Sequence, residues 1–287
     1  MKTITLNNGV EMPLQGFGVF QISPQDCEAA VRSALDVGYR MIDTPQAYYN
    51  EAAVGRAWRT SGIAREDLFL VTKVWISNAG DERAAKSIDE SLRKLETDYI
   101  DLLLIHQAFG DYYGTYRAMQ KALEAGKVRA IGLSNFVDAR FVDIVENMEV
   151  KPAVLQLETH VFSQQKRMHE LMAPYGTRLM AWAPLAEGKN GIFTHPTLTA
   201  IGAKYGKTAA QTALRFLMAE DVIAIPKSVH RERLVENFSI DDFELSAEDL
   251  DAIRALDGGK PMFADFNDPT LAKFLLEYDA KFNPERQ

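Results

Sequence analysis

The chain has 287 residues, 47% of them hydrophobic and 25% charged, a balance that can fill the core of one large domain. A net charge of −8 without any basic cluster argues against a nucleic-acid partner, and no apolar run reaches the length of a membrane span. The single cysteine excludes an internal disulfide framework, and residues 1–10 lack the apolar stretch of a signal peptide, so a cytoplasmic protein is expected.

In chain order, "KTITLNNGVEM" reads as a β-hairpin turning at Asn7-Asn8-Gly9. Short apolar runs then alternate with amphipathic stretches. The runs are "GFGVF", "YRMID", "LFLVTKV", "YIDLLLIH", "VRAIGLS", "AVLQLE", "RLMAWA" and "VIAIP". The first helix announces itself by Ser23 as N-cap, Pro24 in the first position and Asp26 in the first turn. Cys27 shares its apolar face with Val31, Ala34 and Leu35 and reads as a buried, inert thiol. "DERAAKSIDESLRKLE", "YGTYRAMQKALEAG" and "TAAQTALRFLMAE" follow with helical periodicity, and Gly38 and Gly126 stand where helices end.

No linker or low-complexity segment divides residues 1–287, so a single domain is expected. Eight strand candidates alternating with helices predict an α/β (β/α)8 TIM barrel, its bottom closed by the N-terminal hairpin. A doubly wound sheet would need a dinucleotide fingerprint. "GFGVFQ" supplies Gly16 and Gly18, but Gln21 stands where the third glycine belongs.

Barrel chemistry gathers at the C-terminal ends of the strands. Those ends carry Asp43, Lys73, His106, Ser134-Asn135, Gln156 with Glu158, Trp182 and Lys227, and Tyr48 follows Asp43 by one short loop. Neighbouring strands are about 4.8 Å apart, so an acid, a lysine and a histidine on three consecutive strands converge. Each has a plainer reading alone: Asp43 or Thr44 as a helix cap, Lys73 as a solvated strand terminus, His106 as a core histidine. Four polar groups at one rim favour chemistry. A tyrosine with a reference pKa of about 10 becomes a better acid beside a lysine ammonium, and an aspartate keeps that lysine charged and oriented. A histidine beside the phenol orients a carbonyl oxygen or shares its proton. The set describes a proton donor aimed at a developing alkoxide. No side chain supplies hydride, so a nicotinamide must.

These motifs resemble the aldo-keto reductase family across essentially the whole chain. "GYRMIDTPQAYYNEAAVG" is similar to its signature, "FLVTKVW" to its lysine strand, "DLLLIH" to its histidine strand, "AIGLSNF" to its nicotinamide-contacting strand and "IPKSVHRERLVENF" to its adenosine-phosphate segment. The resemblance implies a barrel that binds NADP(H) without a Rossmann fold. It implies a catalytic tetrad of Asp43, Tyr48, Lys73 and His106. Ser134, Asn135 and Gln156 would hold the nicotinamide carboxamide, and Trp182 would stack on its ring. Leu185 and Glu187 would lie on a loop straddling the pyrophosphate. Lys227, Ser228, Arg233, Glu236 and Asn237 would meet the adenosine and its 2′-phosphate. Pro45, Tyr49, Gln107 and Ala183 depart from the common pattern, all outside the tetrad.

Phe20 and Trp75, following the first and third strands, would wall the substrate pocket with His106 by the same resemblance, while Phe20 reads equally as barrel-rim packing. The segment "QAFGDYYGTY" and the C-terminal tail are short, which points to small aldehydes, dicarbonyls and sugar-derived ketones, as in the bacterial branch of diketogluconate and methylglyoxal reductases. The expected protein is a monomeric, metal-independent NADPH-dependent carbonyl reductase. The alternatives are a Schiff-base aldolase using Lys73 and a non-catalytic cofactor-sensing protein on the same fold.

Overall fold

A computed structural model describes residues 2–282. The hairpin is present: Thr3–Thr5 (β1) pairs antiparallel with Glu11–Pro13 (β2), Ile4 facing Met12. Its turn needs a positive φ at Gly9, 85°.

Eight parallel strands follow: Phe17–Gly18 (β3), Met41–Asp43 (β4), Phe69–Val74 (β5), Ile100–Ile105 (β6), Val128–Ser134 (β7), Val154–Glu158 (β8), Arg178–Trp182 (β9) and Ile223–Ala224 (β10). They pair in sequence order. A parallel bridge between Gln15 and Ala224 closes the ring, with Gly16 N–H donating to Ala224 O and Ala224 N–H to Leu14 O, both at 2.9 Å. The expected barrel is therefore the observed one. Every residue of β5 and β6 is buried, as strands covered on both faces require.

The glycines of "GFGVF" serve this closure. A Cβ on Gly16 would sit 2.5 Å from the Met41 side chain, and one on Gly18 would sit 3.1 Å from Ile225 O. They leave room for the Met41 side chain and the Ile225 backbone at the seam.

The hairpin covers the bottom. Asn7 Nδ2 donates to Pro152 O and Tyr175 O, and Asn8 Nδ2 donates to Arg129 O. Those carbonyls lie at or just before the starts of β7, β8 and β9.

Outside the barrel run Pro24–Val37 (α1), Glu51–Arg59 (α2), Asp81–Leu95 (α3), Tyr112–Glu124 (α4), Ala139–Asn147 (α5), Lys166–Met172 (α6), Pro196–Tyr205 (α7), Ala209–Ala219 (α8), Arg231–Phe238 (α9), Ala247–Arg254 (α10) and Pro269–Phe282 (α11). Ser23 caps α1 by accepting the Asp26 N–H at 3.2 Å, and Gly38 ends it at φ 127°. Cys27 is fully buried on α1 and burial pushes its thiol up to about 12, consistent with an inert core residue. No helix among the described residues is long and apolar enough to cross a membrane.

Candidate active site

β4, β5 and β6 deliver Asp43, Lys73 and His106 to one rim. Lys73 Nζ donates to Asp43 Oδ1 at 2.8 Å and Oδ2 at 2.6 Å, and to Thr44 O at 3.3 Å. Asp43 therefore does not cap α2. Thr44 does not either; its hydroxyl donates to Asn50 Oδ1. Lys73 is 1% exposed, so its ammonium survives only by this pairing. Burial pulls it below the ordinary lysine value, and the Asp43 carboxylate opposes that pull. An amine clasped by both oxygens of an acid is poorly placed to form a Schiff base.

Tyr48 ends a short 3₁₀ turn, Gln46–Tyr48, and its half-buried ring faces the same rim, 6.1 Å from the His106 ring and 5.3 Å from Phe20. Tyr49 ends that turn at φ 55° and is 72% exposed. The turn is fixed by a residue that sequence reasoning missed. Gln46 Oε1 accepts the Trp75 N–H at 3.0 Å and Asn78 Nδ2 at 2.9 Å, and its Nε2 donates to Ser91 Oγ at 3.1 Å. It ties the tyrosine turn to the end of β5. The available signal was a polar residue inside the signature, between Pro45 and Tyr48.

The Tyr48 phenol corrects one expectation. It lies above its ordinary pKa, because burial outweighs every other influence and the Asp43 carboxylate adds to it. Lys73 is paired with Asp43 in the resting site, burial dominates, and the hydroxyl stays protonated. His106 moves the other way: burial first, and the Lys73 ammonium second, hold its imidazole well below the ordinary histidine value. It is neutral, and its Nδ1 is buried without a hydrogen-bond partner.

Ser134 ends β7 with its hydroxyl buried and equally unpartnered. An orphaned polar atom in such a place fits a ligand carboxamide. Gln156 Nε2 donates to Asp43 Oδ1 at 3.0 Å, which leaves its carbonyl oxygen for a ligand. Asn135, in the left-handed region at φ 64°, is more fully engaged than expected: Nδ2 donates to His106 O and Gln107 Oε1, and Oδ1 accepts Trp182 Nε1 at 2.9 Å. It orients the Trp182 indole.

Leu185 is half-buried and Glu187 exposed at the start of the 186–194 loop. Across the mouth, Lys227 follows β10 and is exposed, Ser228 is buried and accepts the His230 N–H, and α9 starts just beyond. Arg233 is exposed on its first turns, Glu236 half-buried and Asn237 buried. Neither Lys227 nor Arg233 makes an ion pair among the described residues. Two free cations at a helix N-terminus suit an anionic phosphate.

Trp75 packs on His106 at 5.0 Å, and Phe20, 46% exposed, lies on the other side of Tyr48. Trp75 also joins a small apolar cluster of Ile76, Phe109 and Phe266, with Trp182, Leu271, Ala272 and Leu275 against it. The C-terminal segment and α11 thus wall the mouth, a contribution the sequence reading did not assign. The spacing of Leu271, Ala272 and Leu275 was its signal. Residues 283–287 of the tail lie outside the described residues. No group of three or more potential metal ligands occurs among the described residues.

Residues 14–258 match the model of the aldo/keto reductase family. The chain is 42% identical over 256 residues to a glyoxal reductase of Bacillus subtilis, covering 88% of this chain and 92% of that protein. It is 38% identical over 265 residues to methylglyoxal reductase DkgA of Salmonella typhimurium, covering 91% and 96%. A crystal structure of a Gox0644 variant in complex with NADPH superposes with a TM-score of 0.88 at 32% identity, covering 93% of this chain and 97% of that one. The barrel, the converging rim and these likenesses agree: the chain belongs to the aldo/keto reductase family of NADP(H)-using oxidoreductases.

Proposed function

We propose that this enzyme reduces small aldehydes and ketones, dicarbonyls and sugar-derived ketones foremost, with NADPH as its preferred reductant. The observation that carries this reading is the Tyr48 ring 6.1 Å from the His106 ring, at the rim that also holds the buried Asp43–Lys73 pair. When bound, the nicotinamide supplies hydride to the carbonyl carbon. Every other task falls to this chain. His106, neutral, donates a hydrogen bond that fixes the carbonyl oxygen. Tyr48 gives its hydroxyl proton to that oxygen as negative charge develops there. Lys73, held at the same rim by Asp43, would stabilise the resulting phenolate through its charge. Ser134 Oγ and Gln156 Oε1 would hold the carboxamide, and Trp182 would face the ring.

The pocket walls favour small substrates: Phe20, Trp75, Phe266 and α11 crowd the mouth. Relatives named glyoxal and methylglyoxal reductase point the same way. The test is steady-state NADPH oxidation with glyoxal, methylglyoxal, diketogluconate and bulky steroid ketones. Turnover of the small dicarbonyls supports the reading. Tight NADPH binding without turnover of any carbonyl would instead make this a cofactor-sensing protein.

A further inference from the structure

Glu158 ends β8 directly beside Trp182, its register partner at the end of β9. It is 2% exposed, and its carboxylate turns to the C-terminal segment rather than to the tetrad. Oε1 accepts the Met262 N–H at 2.5 Å and faces His160 Nε2 at 3.1 Å, and Oε2 accepts the Phe263 N–H at 3.1 Å. His160 Nδ1 accepts the Phe162 N–H at 3.2 Å, so the tautomer that satisfies both contacts carries its proton on Nε2. Burial opposes the carboxylate, yet these hydrogen bonds together hold it below the usual range.

The strap that Glu158 grips, residues 258–266, is fixed at its ends by Gly258 N–H to Phe162 O and by Arg140 Nη1 to Phe266 O. Between them Phe263 is half-buried, its ring 5.9 Å from Trp182, with Lys189 Nζ 4.3 Å from its centroid. Lys189 belongs to the Ala186–Thr194 loop, where Ala186, Glu187 and Asn190 take positive φ angles of 47°, 49° and 53°. Such backbone persists only where its surroundings hold it. A cavity of about 470 Å³ borders the strap, lined in part by Glu158, Pro261, Ala264 and Phe266. Packing on that side is thin, which leaves the Glu158 hydrogen bonds as the main tie at the strap's centre.

We propose that Glu158 is a positioning residue for cofactor capture: by pinning Met262 and Phe263 it backs Trp182 with an aromatic ring and anchors Lys189, so that strap and loop close over the nicotinamide groove as one unit. The proposal rests on the reading of Trp182 and the 186–194 loop as cofactor contacts given above.

Glu158→Gln keeps the shape and turns one acceptor into a donor facing an N–H or the histidine. NADPH should leave about ten-fold faster, read by stopped-flow fluorescence, and KM for NADPH should rise while turnover stays within a few-fold. In the cofactor-free protein, amides of 258–266 and 186–194 should exchange hydrogen faster together. Phe263→Ala should do the same, and it carries the test if Glu158→Gln does not fold. Lys189→Met should loosen the loop while the strap stays protected. A lower melting temperature with unchanged NADPH release, or a loosened strap beside a loop exchanging as in wild type, overturns the clasp. Wild-type protein that binds no NADPH overturns the cofactor reading instead, and exchange in the cofactor-free protein still decides the clasp.

Discussion

Lys73 Nζ sits within 2.8 Å of both carboxylate oxygens of Asp43 in a space closed to water. Each charge depends on the other. Lys73→Met leaves a buried carboxylate with only Gln156 Nε2 as donor, at a cost of about 3–5 kcal/mol. The double variant with Asp43→Asn should recover much of that stability and none of the activity. Denaturant melts of the two single variants and the double, with turnover on the same samples, give the coupling. Additive losses would show that the pair is not a unit.

The two adjacent tyrosines separate cleanly. Tyr48→Phe removes a protonated hydroxyl from the rim and should cut turnover by at least about 10² while NADPH still binds. Tyr49, exposed on a left-handed residue, should tolerate phenylalanine within a few-fold. The reverse pattern of rates would assign the proton to the other ring.

His106 and His169 are both held below the ordinary histidine value, chiefly by burial. Below about pH 6.5 the unfolded chain takes up protons that the native fold refuses, so stability falls as the pH falls. Each group contributes at most about 1.4 kcal/mol per pH unit in that window and nothing above it. His106→Asn should flatten the acid side of the stability curve, measured by urea melts between about pH 5 and 7, and should reduce turnover. An unchanged slope would place a charged imidazole in the native site.

Arg233 and Lys227, exposed beside the start of α9, make no ion pair among the described residues. Arg233→Ala should weaken NADPH by about ten-fold or more and leave NADH nearly unchanged, because only the former carries the 2′-phosphate. Fluorescence titration with both cofactors decides it. Equal losses would mean that the arginine serves the helix and not the phosphate.

The barrel was legible because strands buried on both faces leave continuous apolar runs, and the rim was legible because polar residues end those runs. Asp43 and Lys73 meet at the rim their strand ends share, and the Tyr48 and His106 rings lie 6.1 Å apart there. What composition hides is burial: the ammonium beside a phenol suggested a lowered pKa, whereas burial around Tyr48 and the Asp43 carboxylate point upward in the ligand-free site. The hold of Asn135 on Trp182 and the grip of Glu158 on Met262 and Phe263 were equally invisible. They join chain segments far apart in sequence through groups with no periodic pattern. Ser134 was read as a ligand contact, and its unpartnered hydroxyl leaves that role open to it.

The bridge between Gln15 and Ala224 has a kinetic meaning. β3 and β10 are two residues each, while β5 and β6 are six. The long central strands join near neighbours in sequence, whereas the seam must bring together distant parts of the chain, so ring closure is expected to be the slower step of folding. Gln15 Nε2 also donates to Asn237 O at the end of α9. The zipper that shuts the barrel therefore also fixes the end of α9, beside the segment proposed for the phosphate. A phosphate-bearing ligand should slow the unzipping of the ring from that side, and amides at Gly16, Gly18 and Ala224 should be the first strand positions to exchange without it.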